Sequence, residues 1–295
     1  MSLIPAHSAP AGRLRACERA SPPRELAAGG ALPASGDSRP SKAAKGQALR
    51  PPLASWQALP APGILGYMDV GTWKDAVFLE RPNRFLAVVE VGGVREEAHV
   101  PDPGRLQELL VPGADARLRP AAGKGRRTSW DLIGVACREG WVNIDSRLPN
   151  LLFAEAVRAG WLEEFTKVTR IIPEYRHGSS VLDFLLEGEG PPCLVEVKGC
   201  TLSVGGLALF PDAPTARGSR HLEELMEARR RGMRACAVFV VKHPGGRAFS
   251  ANRGTDPLFA ATLDRAAGEG VEIIPYLATW RGREMRLETR LPYQA

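Results

Sequence analysis

Asp183, Glu196 and Lys198 are the side chains of this 295-residue sequence best placed to do chemistry together. Glu196 and Lys198 stand two apart in the run 193–198 (CLVEVK). That run reads as a strand, so both side chains leave the same face, with Cα atoms roughly 7 Å apart. Asp183 lies in a second strand-like run, 181–186 (VLDFLL). The Gly- and Pro-rich stretch 187–192 joins the two as a hairpin, which sets Asp183 opposite the Glu-x-Lys pair. Val195 and Val197 then face the core. Two carboxylates and an amine in so apolar a setting are costly unless they pair or hold a cation. Two chemistries fit. One is a hard divalent cation, Mg²⁺ or Mn²⁺, on carboxylate oxygens, with Lys198 stabilising charge that develops on a phosphoryl group. The other is an ordinary Asp–Lys–Glu ion-pair cluster. Spacing alone leaves both open.

The elements that must position these residues are legible around them. Residues 150–160, 218–231 and 256–267 read as helices, and 235–241 and 271–276 as strands. The order α-β-β-α-β-α-β predicts a layered α/β domain with a partly parallel sheet over residues 149–295. Upstream, 84–91 reads as a strand, followed by the hairpin signal Gly92-Gly93 and a returning strand over 94–100. Residues 104–110 (GRLQELL) read as a short helix ended by Pro112-Gly113. Further strands over 115–118, 131–137 and 141–144 predict a small β-barrel of the OB type over residues 73–148. Such barrels bind single strands or oligosaccharides, but the fold alone assigns no function.

Residues 1–72 form a Pro-, Ala- and Arg-rich segment with no apolar period, expected to be a disordered tail. An Arg- and Ser-rich transit peptide, or a start called too early with Met68 as the true first residue, are the alternatives. This segment holds eight of the 39 Lys/Arg and four of the 33 Asp/Glu, hence +4 of the net charge of +6. The basic pI near 9.3 is thus mostly a property of the tail, and only a local basic face could bind nucleic acid. No run approaches the ~20 apolar residues of a membrane span. The five cysteines form no C-x-x-C pair, the usage of a reducing compartment. A soluble, cytoplasmic protein without a membrane partner is expected.

The hairpin with its Asp and Glu-x-Lys resembles the PD-(D/E)xK nuclease superfamily. More specifically, the chain is similar to the sugar fermentation stimulation protein A family from about Val77 onward. The matching blocks are Glu80-Arg81-Pro82-Asn83-Arg84-Phe85-Leu86, His99-Val100-Pro101-Asp102-Pro103-Gly104-Arg105-Leu106, Arg126-Arg127-Thr128 and Asn150-Leu151-Leu152 with Glu155. They continue through Asp183-Phe184, Glu196-Val197-Lys198, Phe210-Pro211-Asp212-Ala213-Pro214-Thr215, Arg217-Gly218 and His221-Leu222. The resemblance implies an OB-like barrel followed by a mixed-sheet, restriction-endonuclease-like domain. It also implies DNA binding, a link to regulation of sugar (maltose) catabolism, and a metal site of Asp183, Glu196 and Glu155 beside Lys198. Four positions depart from the family pattern: Val181 for Arg, Asp102 for Asn, Ala216 for Glu, and Cys200 where a small apolar residue is commoner.

Arg81, Arg84, Arg105, Arg126 and Arg127 fall on or beside the barrel strands and suit phosphate contacts, which position a protein on duplex or single-stranded DNA. Arg217, Arg220 and His221 flank an expected helix N-terminus, a further phosphate-binding feature. His99 is expected to be structural, and Arg229–Arg231 to complement the helix dipole. Three functions compete: a DNA-binding regulator that keeps a nuclease fold, an active Mg²⁺-dependent endonuclease, and an oligosaccharide-binding barrel.

Overall fold

The computed structural model describes residues 67–295, except 122 and 124. The tail reading of residues 1–66 lies outside the described residues. Residues 67–72 of the expected segment are described. Strand β1 (Met68–Asp69) joins the second domain's sheet, and Val70 donates its N–H to Arg283 at 2.9 Å.

Alternation of apolar and polar residues builds the barrel. Its strands are β2 (Lys74–Asn83), β3 (Leu86–Val91), β4 (Val94–His99), β5 (Asp115–Pro120), β6 (Trp130–Cys137) and β7 (Gly140–Asn143). In β3, Ala87, Val89 and Val91 point inward and their neighbours outward, the period of 2 a half-buried strand requires. Gly92 and Gly93 adopt φ of 59° and 82°, the left-handed pair a two-residue hairpin needs. The strands run β4-β3-β2-β5-β6-β7, and β4 also pairs in parallel with β6 through Ala98↔Trp130 and His99↔Asp131. That pairing closes five strands into an OB-like barrel filled by Phe78, Val89, Leu118, Leu132 and Val135. The helix expected over 104–110 is not formed. Leu106 takes φ 50°, which ends any right-handed helix there. One turn remains, closed by Leu110 N–H on the Leu106 carbonyl at 2.8 Å, and it presses Leu106, Leu109 and Leu110 into the barrel core.

The second domain opens with α1 (Leu148–Arg158) and continues through β8 (Val168–His177), β9 (Ser180–Gly188), β10 (Cys193–Cys200), β11 (Leu202–Val204) and β12 (Leu207–Phe210). Then follow α2 (Ala216–Arg230), β13 (Arg234–Val241), β14 (Ala248–Ala251), α3 (Pro257–Gly268), β15 (Glu272–Arg281), β16 (Glu284–Arg290) and β17 (Tyr293–Gln294). The main sheet has the order β1-β16-β15-β13-β10-β9-β8. Its centre, β10–β13–β15, is parallel, and its flanks are antiparallel. Central strands are apolar on both faces, as in β13 (RACAVFVV). α1 covers one face, packing Leu152 and Phe153 with Phe184, Val195, Val197 and Val238. α2 and α3 cover the other, packing Leu225 and Leu263 with Leu194, Ala237 and Phe239. β11, β12, β14 and β17 form a small separate sheet. The architecture is an OB-like barrel followed by a mixed-sheet, restriction-endonuclease-like domain. No helix among the described residues is long and apolar enough to cross a membrane.

The barrel and the second domain meet at an aromatic box. The Arg117 guanidinium lies 4.2 Å from the Trp73 ring centroid, 3.8 Å from that of Trp141 and 4.6 Å from that of Trp280. Its Nε and Nη1 are buried without a hydrogen-bond partner, so ring faces alone receive that side of the cation. Gly134 makes room for the Trp280 ring: a Cβ there would lie 2.4 Å from Cζ3.

Candidate metal centre and nucleic-acid face

The β9–β10 ladder pairs Cys193↔Leu186, Leu194↔Leu185 and Val195↔Phe184, then stops. The next pair in register would be Glu196 and Asp183. Side-chain bonds take over there. Val197 N–H donates to Asp183 Oδ2 at 2.9 Å, and Asp183 N–H to Glu196 Oε2 at 3.3 Å. The alternation of β9 also breaks at Asp183: Leu182 packs on the α2–α3 side and Phe184 on the α1 side. On the neighbouring β8, Glu174 takes φ 51°, an uncommon conformation for a non-glycine residue. The strands therefore fork where the two carboxylates stand.

Each carboxylate is fixed by a helix. From α1, Asn150 Nδ2 donates to Asp183 Oδ1 at 2.7 Å. From α2, His221 Nδ1 donates to Glu196 Oε1 at 2.5 Å, while His221 Nε2 accepts from Arg217 Nε at 3.2 Å. Two different partners thus select the Nδ1–H tautomer. Lys198 Nζ pairs with the same Oε1 of Glu196. Burial pushes the Glu196 carboxyl upward, but the Lys198 charge and the His221 bond outweigh it and hold the group down at about 2. Glu196 is 5% exposed at its side chain and Lys198 21%, so the ammonium stands at the mouth and the carboxylates behind it.

The structure thus brings Asp183, Glu196 and Lys198 together, as the hairpin predicts. Glu155 is not gathered with them: among the described residues, Asp183, Glu196 and Glu155 do not form a group with ligand atoms all within 4.8 Å of one another. Glu155 instead lies 3.9 Å from Arg158. Asn150 is the α1 residue on the site, and its Asn-Leu-Leu context was the available signal. His221, expected at a phosphate, is 2% exposed and turned inward to Glu196.

The arginines divide by environment. Arg81 donates to the carbonyls of Arg105, Arg84 and Asp102, at 2.5, 2.7 and 3.1 Å, and is a clamp for two loops rather than a free cation. Arg126 is paired with Asp131, inside a network where buried Asp145 accepts from Arg119 at 2.7 Å and Arg147 at 2.8 Å. Arg84, Arg105, Arg127 and Arg220 are exposed. The α2 N-terminus is partly satisfied, because Thr215 accepts Gly218 N–H at 3.0 Å. A cleft of about 770 Å³ lies between the barrel and the second domain, lined by Arg81, Arg84, Arg105, Asp102, Asp212 and Thr215 among others. It does not reach Asp183 or Glu196. Its wall runs through Gly199 and Cys200, which directly follow Lys198 on β10.

Comparison with known proteins gives the same two-part layout. Residues 79–144 match the family described as SfsA N-terminal OB domain, and residues 147–284 match the sugar fermentation stimulation protein RE domain. A sugar fermentation stimulation protein homolog of Moorella thermoacetica is 52% identical over 203 residues, 68% of this chain and 88% of the relative. Another, from Methanothermobacter thermautotrophicus, is 45% identical over 203 residues, 68% of this chain and 85% of the relative. The solved structure of Pyrococcus furiosus SfsA in complex with Ca²⁺ superposes with a TM-score of 0.73 at 32% identity, covering 78% of this chain and all of that one.

Proposed function

We propose, from the premise that this chain belongs to the sugar fermentation stimulation protein family, that it is a cytoplasmic DNA-binding protein with a nuclease-like divalent-cation site at Asp183, Glu196 and Lys198. The observation that carries the reading is the fork between β9 and β10, where two buried carboxylates replace ladder bonds and a lysine closes the mouth. The donors suit the cation. Hard divalent ions take carboxylate oxygens, Glu196 is held ionised, and a hydrogen-bonded carboxylate oxygen keeps a second lone pair. The Pyrococcus furiosus relative is a complex with Ca²⁺, an ion that shares this oxygen preference with Mg²⁺. When bound, the cation supplies polarisation of a phosphoryl oxygen and a more acidic water. The chain's own residues do the rest. Asn150 and His221 hold the carboxylates, and Lys198 meets developing negative charge. Arg84, Arg105, Arg127 and Arg220 meet backbone phosphates. The name shared by the relatives points to sugar fermentation, and we assign the DNA binding to regulation of sugar, including maltose, catabolism.

A second reading is hydrolysis of DNA at the same site with Mg²⁺ or Mn²⁺. Lys198 favours it, because an ammonium beside the two carboxylates can meet charge that develops on a phosphoryl group. One experiment separates the two: DNA binding across a salt series and plasmid cleavage with Mg²⁺ or Mn²⁺, for wild type, Asp183→Ala and Lys198→Ala. Salt-dependent binding in all three, without cleavage in any, supports the regulator and removes the nuclease. Cleavage that falls by ~10²–10³ in both variants supports the nuclease. Absence of salt-dependent affinity in wild type removes both readings.

A further inference from the structure

A second constellation lies away from Asp183 and Glu196. Cys137 ends β6, Glu139 follows in the β6–β7 turn, and His243 lies two residues beyond the end of β13 in the second domain. Their ligand atoms all lie within 4.8 Å of one another. The geometry points to a binding site for a thiophilic divalent cation such as Zn²⁺, held by Cys137, Glu139 and His243 and tying the barrel hairpin to the loop after β13.

Two observations support the site independently of the DNA reading. First, the donor set is thiolate, carboxylate and imidazole, the set Zn²⁺ takes with water in a fourth position. Second, the two chain segments approach closely. A Cβ on Gly245 would lie 3.1 Å from Glu139 Cγ and 3.1 Å from His243 Nδ1, and one on Gly140 3.5 Å from Pro244 Cγ. His243 Nδ1 now accepts Gly245 N–H at 3.1 Å, across two residues, a bond a cation at that nitrogen would replace. Cation binding releases the Cys137 thiol proton to solvent.

The test uses the full chain, stripped with a chelator and titrated with Co²⁺ alone. One equivalent is expected to give a thiolate-to-cobalt charge-transfer band, which Zn²⁺ abolishes and excess Mg²⁺ leaves intact. Cys137→Ser should lose the band, with far-UV circular dichroism confirming its fold. Glu139→Gln, at an exposed position, and His243→Asn should weaken Co²⁺ binding by more than the roughly 10–100-fold cost of losing an outer-shell partner. Cys17→Ser and Cys193→Ser should keep the band. A missing band in wild type, a band that survives Cys137→Ser, or unchanged affinity in both Glu139→Gln and His243→Asn overturns the site.

Discussion

Val197 gives its backbone N–H to Oδ2 of Asp183 at 2.9 Å, a bond that in an unbroken ladder would go to a carbonyl of the neighbouring strand. The site is therefore built from a local failure of sheet pairing. Asp183 substitutes for a piece of backbone while keeping a carboxylate at the fork. Removing it leaves a buried donor unpaired, which alone costs ~1–3 kcal/mol. Asp183→Asn is the milder probe, because its amide oxygen can still accept.

Glu196 makes stability depend on acid. Its folded-state value lies near 2 against an ordinary 4.5, so the unfolded chain binds the proton more readily between those values. The contribution is fully present above about pH 4.5 and is lost as pH falls towards 2. It amounts to about 3 kcal/mol by linkage. Denaturant melts from pH 5 to 2.5 should show a steeper loss in wild type than in Glu196→Gln; parallel curves would contradict the assignment.

Arg81 and Arg84 should separate stability from binding. Arg81→Ala removes three bonds to carbonyls and should cost about 2 kcal/mol, lowering Tm by ~4–8 °C at ~2–4 °C per kcal/mol. Arg84→Ala should leave Tm within ~1 °C and shrink the salt slope of DNA affinity by about one unit. Thermal melts and binding at several salt concentrations read both.

Asn150 should matter more than Glu155 for the cation. Asn150→Ala frees Asp183 from its 2.7 Å anchor and should weaken Mn²⁺ binding by ~10–100-fold. Glu155→Ala should have a smaller effect. Calorimetric titration with Mn²⁺ decides, and a larger loss in Glu155→Ala would restore the ligand set implied by the family resemblance.

Asp145→Asn should destabilise without touching either cation site. Asp145 is buried, and despite that burial the bonds and charges of Arg147 and Arg119 hold its carboxyl well below the usual range. Breaking this network should cost about 2 kcal/mol, read as a shifted urea midpoint with an unchanged m-value.

The hairpin of β9 and β10 was readable because its runs are short, apolar and divided by a Gly/Pro turn. Edge strand β8 was not, since Pro173 and its charged neighbours suit an edge that faces solvent. β16 was hidden by its charge, with Glu and Arg at most positions. The triad spacing was legible, but its supports were not. His221 reaches Glu196 across 25 residues and Asn150 reaches Asp183 across 33, and no local pattern encodes such contacts. Arg81 looked like a DNA ligand by residue type; only tertiary packing turned it into a clamp.

Three of the chain's six tryptophans surround the single guanidinium of Arg117. Trp73 and Trp141 belong to the barrel side and Trp280 to β15. The protein consequently carries its own fluorophore at the joint. If DNA or a cation tilts the barrel against its neighbour, the indoles change their distance from a quenching cation and from water. Emission colour and intensity would register that rotation without a dye or an engineered label.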